Sequence, residues 1–453
     1  MKIHFNDNLI GLSKILSAPL YAVGGYVRNY LIDGSLSVDI DLCSSVEREE
    51  LLTALNKTGF KVICEYPRTR TVLFTDGKQK YEFTAMRVDG YTGGGHKPTV
   101  TVYTDDIYED ARRRDFKCNA VYYDIKSEKL VDPLNGVDDI KNKRLDTVKS
   151  PDQVFCNDGL RLMRLARFTG ELNFTPTLKV LQSAKNFADN ILEIAPERIA
   201  EELKKILVSD VKYSFSDKDG HYKALKVLDK TEVLDRIIPE LTLGRGLNQR
   251  KDYHSYDVLE HTLKTVLYSD KEIRLSALLH DLGKPKQFME NGKFYQHDKV
   301  GSELVKTVLS RLKFDNRTIK ETVFLTRFHM LDMDLKLRTN KLRKFIVENF
   351  SMIEKLLKLK QADYSGSKDD LSVCPTVIKW QEEIKKMQSD GVPFSVKELE
   401  ITAKKIKELG YSEKNIGRVL TWLLNQSIVN PKINQKSTLL ALCLKYKGKL
   451  DID

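Results

Sequence analysis

The apolar pattern of this chain changes period near residue 145, and that change restricts the fold more than any other feature of the sequence. Before it, short β-branched and aromatic runs recur (YAVG, VDIDLCSS, KVICEYP, RTVLFT, YEFTAMRV and NAVYYD) with helical patterns between them. From about Val154 onward apolar residues fall at helical spacing, as in Leu160, Met163, Leu165 and Phe168, and again in Ile199, Leu203 and Ile206. The sequence thus predicts an α+β head with a mixed sheet, followed by all-α domains. A chain of 453 residues is about three domains' worth. Gly244, Gly246 and the polar stretch NQRKD punctuate it once, and Ser365 to Asp370 punctuate it again. The expected division is a head over 1–145, a helical middle over 146–245, a second helical domain over 246–370 and a helical tail over 371–453.

Composition narrows the class. With 41% hydrophobic and 31% charged residues the chain has the makeup of a folded globular protein rather than a disordered one. No run approaches the roughly 18 apolar residues of a membrane span, and MKIHFNDNLIGLSKIL has no basic region leading into an apolar stretch. A cytoplasmic protein is expected. The six cysteines are scattered without a Cys-x-x-Cys pair, so they read as reduced thiols rather than as disulfides or a zinc-thiolate site. A net charge of +11 favours a polyanionic partner. The charge clusters at Arg112 to Arg114, at Arg161, Arg164 and Arg167, and in the lysine-rich C-terminal third.

In Val38-Asp-Ile-Asp-Leu42 the aspartates are two apart, so on a strand both carboxylates of Asp39 and Asp41 leave one face while Ile40 turns into the core. Adjacent carboxylates repel unless a cation lies between them, and Mg²⁺ takes hard oxygen ligands together with substrate phosphates. Upstream, Gly24-Gly25 follows the strand YAV and opens a helix, which aims backbone N–H groups at an anion. Arg28, in the first helical turn, can add a charged contact to the same phosphates. Glu82, in YEFTAMR, offers a third carboxylate on a strand beside the aspartates; it also fits an ordinary exposed strand position.

The segment GGYVRNYLIDGSLSVDIDL resembles the GGxVRD…DxD signature of the nucleotidyltransferases that include CCA-adding enzymes and bacterial poly(A) polymerases. Asn29 stands where that signature has aspartate. The resemblance implies that Asp39 and Asp41 are the metal ligands. The run EDARRRDFKCNA is similar to the family's RRDFTxNA motif, which implies that Arg114 and Asp115 recognise the ribose and that Asn119 supports the turn. The strand with Glu82 and Arg87 matches the family's VEVTTFR by residue type.

Asp158 and Arg161 lie three apart, so on one helix they share a face and form a flat edge of donors and acceptors able to address C and A. An ordinary ion pair is the alternative reading. The segment NDGLRLMRLARF is similar to the family's EDxxRxxRxxRF motif, whose Asp and Arg select the incoming base, with Asn157 in place of glutamate. Arg164 and Arg167 then face the triphosphate or serve packing. The helix of PERIAEEL also resembles a family element, with a structural role. The glycine-rich GYTGGGHKP lacks a strand–helix context and reads as a mobile loop closing over substrate.

Farther along, His261, His280-Asp281, His297, His329 and Asp363 are each embedded in helical pattern and use four of only eight histidines. Imidazole with carboxylate suits Mn, Fe, Co or Ni. The set resembles an HD phosphohydrolase domain, which implies a two-metal centre bridged by Asp281, with Lys284 facing substrate phosphate. An HD bundle kept only for tRNA binding is the alternative. His254 is either an extra substrate contact or a surface residue.

Together these resemblances imply template-independent addition of CCA to tRNA from CTP and ATP, with Mg²⁺ in the head and a possible second phosphohydrolase activity. A poly(A) polymerase, an enzyme adding only CC or only A, and an HD phosphohydrolase with a non-catalytic RNA-binding head are the rivals. The tail carries no recognised motif and is expected to bind RNA.

Overall fold

The β-branched runs become strands β1 (Tyr21–Val23), β2 (Asp39–Ser44), β3 (Lys61–Tyr66), β4 (Thr71–Thr75), β5 (Lys80–Ala85), β6 (Arg87–Gly90), β7 (Val100–Tyr103), β8 (Tyr122–Asp124) and β9 (Lys129–Val131). Seven of these form one sheet in the order β3-β4-β5-β2-β1-β8-β9, while β6 and β7 pair with each other. Within the sheet β2 and β5 run parallel and the other neighbours antiparallel. This is the mixed sheet that the sequence predicts, with β9 added at its edge; β7 is a further strand that pairs with β6 outside it.

The structure is a computed structural model that describes residues 2–36, 39–90 and 100–450. It divides into two units, Met1–Leu243 with Ser310–Phe314, and Gly244–Leu309 with Asp315–Asp453. Most of the glycine-rich GYTGGGHKP lies outside the described residues.

Alternation along the strands decides what the first unit buries. Ile40, Leu42, Val72, Phe74, Tyr81 and Phe83 are all at most 2% exposed and point to one face of the sheet. The Phe60 ring meets Phe74 and Tyr81 edge-on, with centroids 5.1 and 5.3 Å away. Each such side chain contributes roughly 1.5–3 kcal/mol by leaving water. The same period sends Asp39, Asp41 and Glu82 to the opposite face, which stays exposed. Beyond the sheet the unit is helical, as predicted, with Pro151–Asn157, Leu160–Leu172 and Pro196–Ile206 among its helices.

In the second unit the predicted metal residues ride on helices Val258–Leu267, Arg274–Leu279, His297–Arg311, Asn316–Phe328 and Phe350–Lys368, or on the residues that end them. The stretch read as punctuation at Ser365 to Asp370 is different in the structure: the helix runs through it to Lys368. Gly366 is there for close packing, because a Cβ on it would lie 2.6 Å from the Thr265 backbone nitrogen. The tail gathers a small core of its own around Ile406, Val419, Leu423 and Cys443. No helix among the described residues is long and apolar enough to cross a membrane.

Candidate active sites

The sheet brings the head residues together. Asp41 and Glu82 are register partners on the parallel strands β2 and β5, and Val23, just before the glycine turn, pairs with Asp41 from the other side. Gly24 has φ +73 and ψ −137, a backbone conformation that only glycine enters readily. A Cβ there would also lie 2.9 Å from Asp41 Oδ2. The turn therefore presses its backbone against the carboxylate, and the helix Gly25–Asp33 starts beside it.

These groups border a cleft of about 460 Å³ lined by Gly24, Gly25, Asp41, Arg28, Arg114 and Asp158, together with further arginines. Asp41 opens onto this cleft, yet the protein crowded around it raises its carboxyl pKa; Arg114 opposes the rise and Asp39 adds to it. Glu82 is also raised, by burial first and then by Asp41 and Asp39. Carboxylates that push one another up in this way fit a divalent cation between them.

The arginines and Asp115 are held by different partners within the cleft. Arg114 does not pair with Asp115; its guanidinium lies 3.1 Å from Asp110 Oδ2 and donates to the Tyr122 hydroxyl. Asp115 is buried and accepts from Arg164 Nε at 2.7 Å, from Asn119 Nδ2 at 3.0 Å and from the Phe116 amide. Burial alone would raise the Asp115 pKa, but Arg164 and Asn119 hold it well below the usual carboxylate range. Arg28 is buried at 2% exposure, and its guanidinium donates to Asn29 Oδ1, Asn119 Oδ1 and the Tyr213 hydroxyl. Asn29 thus gives Arg28 a neutral acceptor where the family signature has a carboxylate. Arg167 pairs with Glu202 at 2.9 Å and lies over the Phe168 ring.

Asp158 and Arg161 do not share a helix face. Asp158 follows the helix Pro151–Asn157 in an extended conformation, and its Oδ1 caps the Leu160 amide at the start of the next helix. Aspartate and glycine at 158 and 159 break the helical run that spacing alone had continued. The pair remains close, with Arg161 Nε 3.8 Å from Asp158 Oδ2, and Arg161 also donates to the carbonyls of Val154 and Arg113. Arg113, Arg198, Glu171 and Tyr213 complete the cleft and were missed from the sequence. Tyr213 carries no signal there, since only folding brings its hydroxyl to Arg28.

In the second unit the predicted set converges completely. Asp281 Oδ2 lies 3.2 Å from both His261 Nε2 and His280 Nε2, while Oδ1 lies 3.2 Å from His297 Nε2 and 3.6 Å from His329 Nε2. Asp363 Oδ1 closes the first half at 3.1 Å from His261. The Nδ1 atoms of His280, His297 and His329 face the carbonyls of Ala277, Phe294 and Thr326 at 2.7–2.8 Å, which orients each Nε2 inward. Two groups of three ligand atoms result, His261/His280/Asp363 and His280/Asp281/His329. Neither buried oxygen of Asp281 has a hydrogen bond of acceptable geometry. Orphaned carboxylate oxygens ringed by imidazole nitrogens fit a bridged pair of cations. Lys284 lies 2.6 Å from Asp281 Oδ2 and donates to Gln249 Oε1, so it sits on the Asp281 carboxylate. His254 is half-buried with its ring edge-on to His261 at 4.8 Å.

The sheet, the glycine turn and the paired carboxylates define a nucleotidyltransferase-class head joined to an HD-type helical domain. Residues 20–146 match the family described as Poly A polymerase head domain, 173–243 match Probable RNA and SrmB- binding site of polymerase A, and 252–363 match HD domain. The chain is 32% identical over 316 residues to the multifunctional CCA protein of Shewanella frigidimarina, covering 66% of this chain and 70% of that protein. It is 31% identical over 280 residues to the A-adding tRNA nucleotidyltransferase of Deinococcus radiodurans, covering 58% of this chain and 61% of that protein. Its backbone superimposes on the Bacillus stearothermophilus CCA-adding enzyme in complex with CTP with a TM-score of 0.65 at 19% identity, covering 98% and 99% of the two chains. The chain belongs to the family of tRNA nucleotidyltransferases and bacterial poly(A) polymerases that contains the CCA-adding enzymes. It spans 61% and 45% of the length of the first relatives it matches, the Deinococcus protein and the CCA-adding enzyme of Lactobacillus helveticus.

Proposed function

We propose that this protein adds CCA to the 3′ end of tRNA from CTP and ATP without a template, in the cytoplasm. The observation that carries this reading is the register of Asp39, Asp41 and Glu82 beside the glycine turn, at the mouth of a cleft walled by arginines. The RNA 3′-hydroxyl oxygen bonds to the α-phosphorus of the nucleotide, the bond to the β-phosphate breaks, and pyrophosphate leaves. A divalent cation, Mg²⁺, held by Asp39 and Asp41 supplies charge neutralisation there when bound. The backbone N–H groups at Gly24 and Gly25 and the Arg28 side chain receive the phosphates. Arg114 and Asp115 recognise the ribose, with Arg164 and Asn119 holding the Asp115 carboxylate in place. Asp158 and Arg161 present acceptors and donors to the base, the selection that a template would otherwise make. Arg167 supports the wall through Glu202.

The second unit is a phosphohydrolase centre in this reading. His261, His280, Asp281, His297, His329 and Asp363 hold two divalent transition metals, Mn, Fe, Co or Ni, bridged by Asp281, which serve phosphoester hydrolysis when bound. Lys284 sets the bridging carboxylate and borders the substrate side.

The test is incubation of the purified chain with tRNA transcripts ending before CCA, after C and after CC, with CTP and ATP separately and together. The expected result is CC addition with CTP, and complete CCA only with both. Because the Deinococcus relative is A-adding, extension solely of the CC-ending transcript by ATP would assign the chain to that narrower activity. Long adenylate tails would assign it to poly(A) synthesis. Failure of every transcript, with metal-dependent hydrolysis of a 2′,3′-cyclic nucleotide, would leave only the HD reading standing.

A further inference from the structure

The two sides of the carboxylate strand differ. On one side β2 pairs with β1, which ends in the glycine turn and the helix where the phosphates are received. On the other side lie β5, β4 and β3 in turn. The pocket wall includes Asp41 but neither Asp39 nor Glu82. In phosphoryl transfer the attacking and leaving oxygens are roughly in line. If pyrophosphate departs toward β1, the attacking hydroxyl has to arrive over β5.

The register shows what that approach crosses. Asp41, Glu82, Leu73 and Cys64 form one cross-strand row, and Thr84, Thr71 and Tyr66 form the row beside it on the same face. The hydroxyls of Thr71 and Thr84 lie 3.2 Å apart, which confirms the shared face. Lys80 stands opposite Asp39 in the next row. Lys61, Lys80 and Glu82 are exposed, and Tyr66 is 50% exposed although it is a large aromatic residue on a strand. Three strand spacings, roughly 14 Å, separate Asp41 on β2 from β3, which is the span of a few nucleotides. An exposed ring and two exposed lysines on one sheet face suit single-stranded RNA, because bases stack on aromatic faces and phosphates seek ammonium groups.

We propose that this face, from β5 to β3, is the track for the last nucleotides of the acceptor RNA. Tyr66 is the stacking platform for a base upstream of the terminal nucleotide, and Lys80 contacts a phosphate next to the reacting end. The inference rests on the nucleotidyltransferase reading above. Its test is steady-state kinetics of Tyr66→Ala, Tyr66→Phe and Lys80→Ala on a tRNA transcript, with thermal unfolding recorded for each. Tyr66→Ala is expected to raise KM for RNA about tenfold, the order of losing one base–aromatic stack, with KM for CTP unchanged. Tyr66→Phe keeps the ring and is expected to stay within about twofold of the parent protein. Lys80→Ala is expected to lower the salt dependence of RNA binding by about one phosphate contact. A photoreactive base placed two or three nucleotides from the RNA 3′ end is expected to crosslink to β3 or β4. An unchanged RNA KM in Tyr66→Ala, an equal loss in Tyr66→Phe, or crosslinks only elsewhere, overturns the track while incorporation by the parent chain upholds the enzyme. No incorporation by the parent chain overturns both.

Discussion

Arg164 lies 2.6 Å from Asp115 Oδ2 and ties the helix Leu160–Leu172 to the turn that follows the arginine run. A buried carboxylate that loses its cationic partner is costly, but Arg164 keeps about a third of its side-chain surface in water and Asp115 retains Asn119 and the Phe116 amide. Arg164→Ala should therefore destabilise the first unit by about 1–3 kcal/mol, below the range for fully buried pairs. KM for CTP and ATP should rise together by about tenfold, since the ribose contact is common to both nucleotides. Kinetics with each nucleotide test this; a change confined to one of them would place Arg164 on the base instead.

Asp39→Asn and Asp41→Asn each remove a charge from the carboxylate cluster proposed to hold the cation of the transfer. Incorporation should fall by at least about 10³-fold, corresponding to several kcal/mol of lost charge stabilisation. Folding should be little affected, because both side chains are exposed on their strand. Glu82→Gln should cost less, on the order of tenfold. Full activity of Glu82→Gln across a Mg²⁺ titration would return Glu82 to an ordinary strand residue.

How far this site could be read in advance depended on whether its parts are local. Asp39 and Asp41 share a face by strand period alone, and the glycine turn is a three-dimensional fact written in adjacent residues. The sequence also indicated which histidines and aspartates of the second unit come together, because an adjacent His-Asp pair and scarce histidines on helical patterns are distinctive. What escaped was pairing across distance. Arg114 turns to Asp110, four residues back, and the partner of Asp115 is Arg164, 49 positions away. The break at Asp158 escaped for the opposite reason: helical spacing continues on both sides of it, and only the side-chain cap on Leu160 reveals the kink. Gly366 reads as a linker residue and proves to be a contact point, since composition does not register what packs against a missing Cβ.

Acid should loosen the head through Asp110. This carboxylate is fully buried. Burial alone would raise its pKa, but Arg114, Arg113 and the Tyr122 hydroxyl outweigh that and lower it to about 2. A folded pKa below the unfolded value of about 3.8 contributes stability that is fully present above that value. That stability is lost as pH falls through about 2. Between about pH 4 and pH 2 the protein should lose about 2 kcal/mol from this group. Asp110→Asn should be less stable at pH 7 and should lack that part of the slope. Hydrogen exchange of the Tyr122 amide between pH 5 and pH 2 measures it locally, and identical slopes in the two proteins would exclude Asp110 as the source.

The two halves of the second centre should separate by substitution. Asp281 gives one oxygen to His261 and His280 and the other to His297 and His329, so Asp281→Asn should weaken both metal positions. His261→Ala touches only the first half and should leave the second occupied. Protein stripped with a chelator, reloaded with Mn²⁺ and measured by elemental mass spectrometry should bind about two ions in the parent chain, about one in His261→Ala and less than one in Asp281→Asn. Nucleotide incorporation assayed in Mg²⁺ should stay within about twofold of the parent in both variants, because no head ligand is altered. Equal metal content in the two variants would mean that Asp281 does not bridge, and that the orphaned oxygens belong to a single ion.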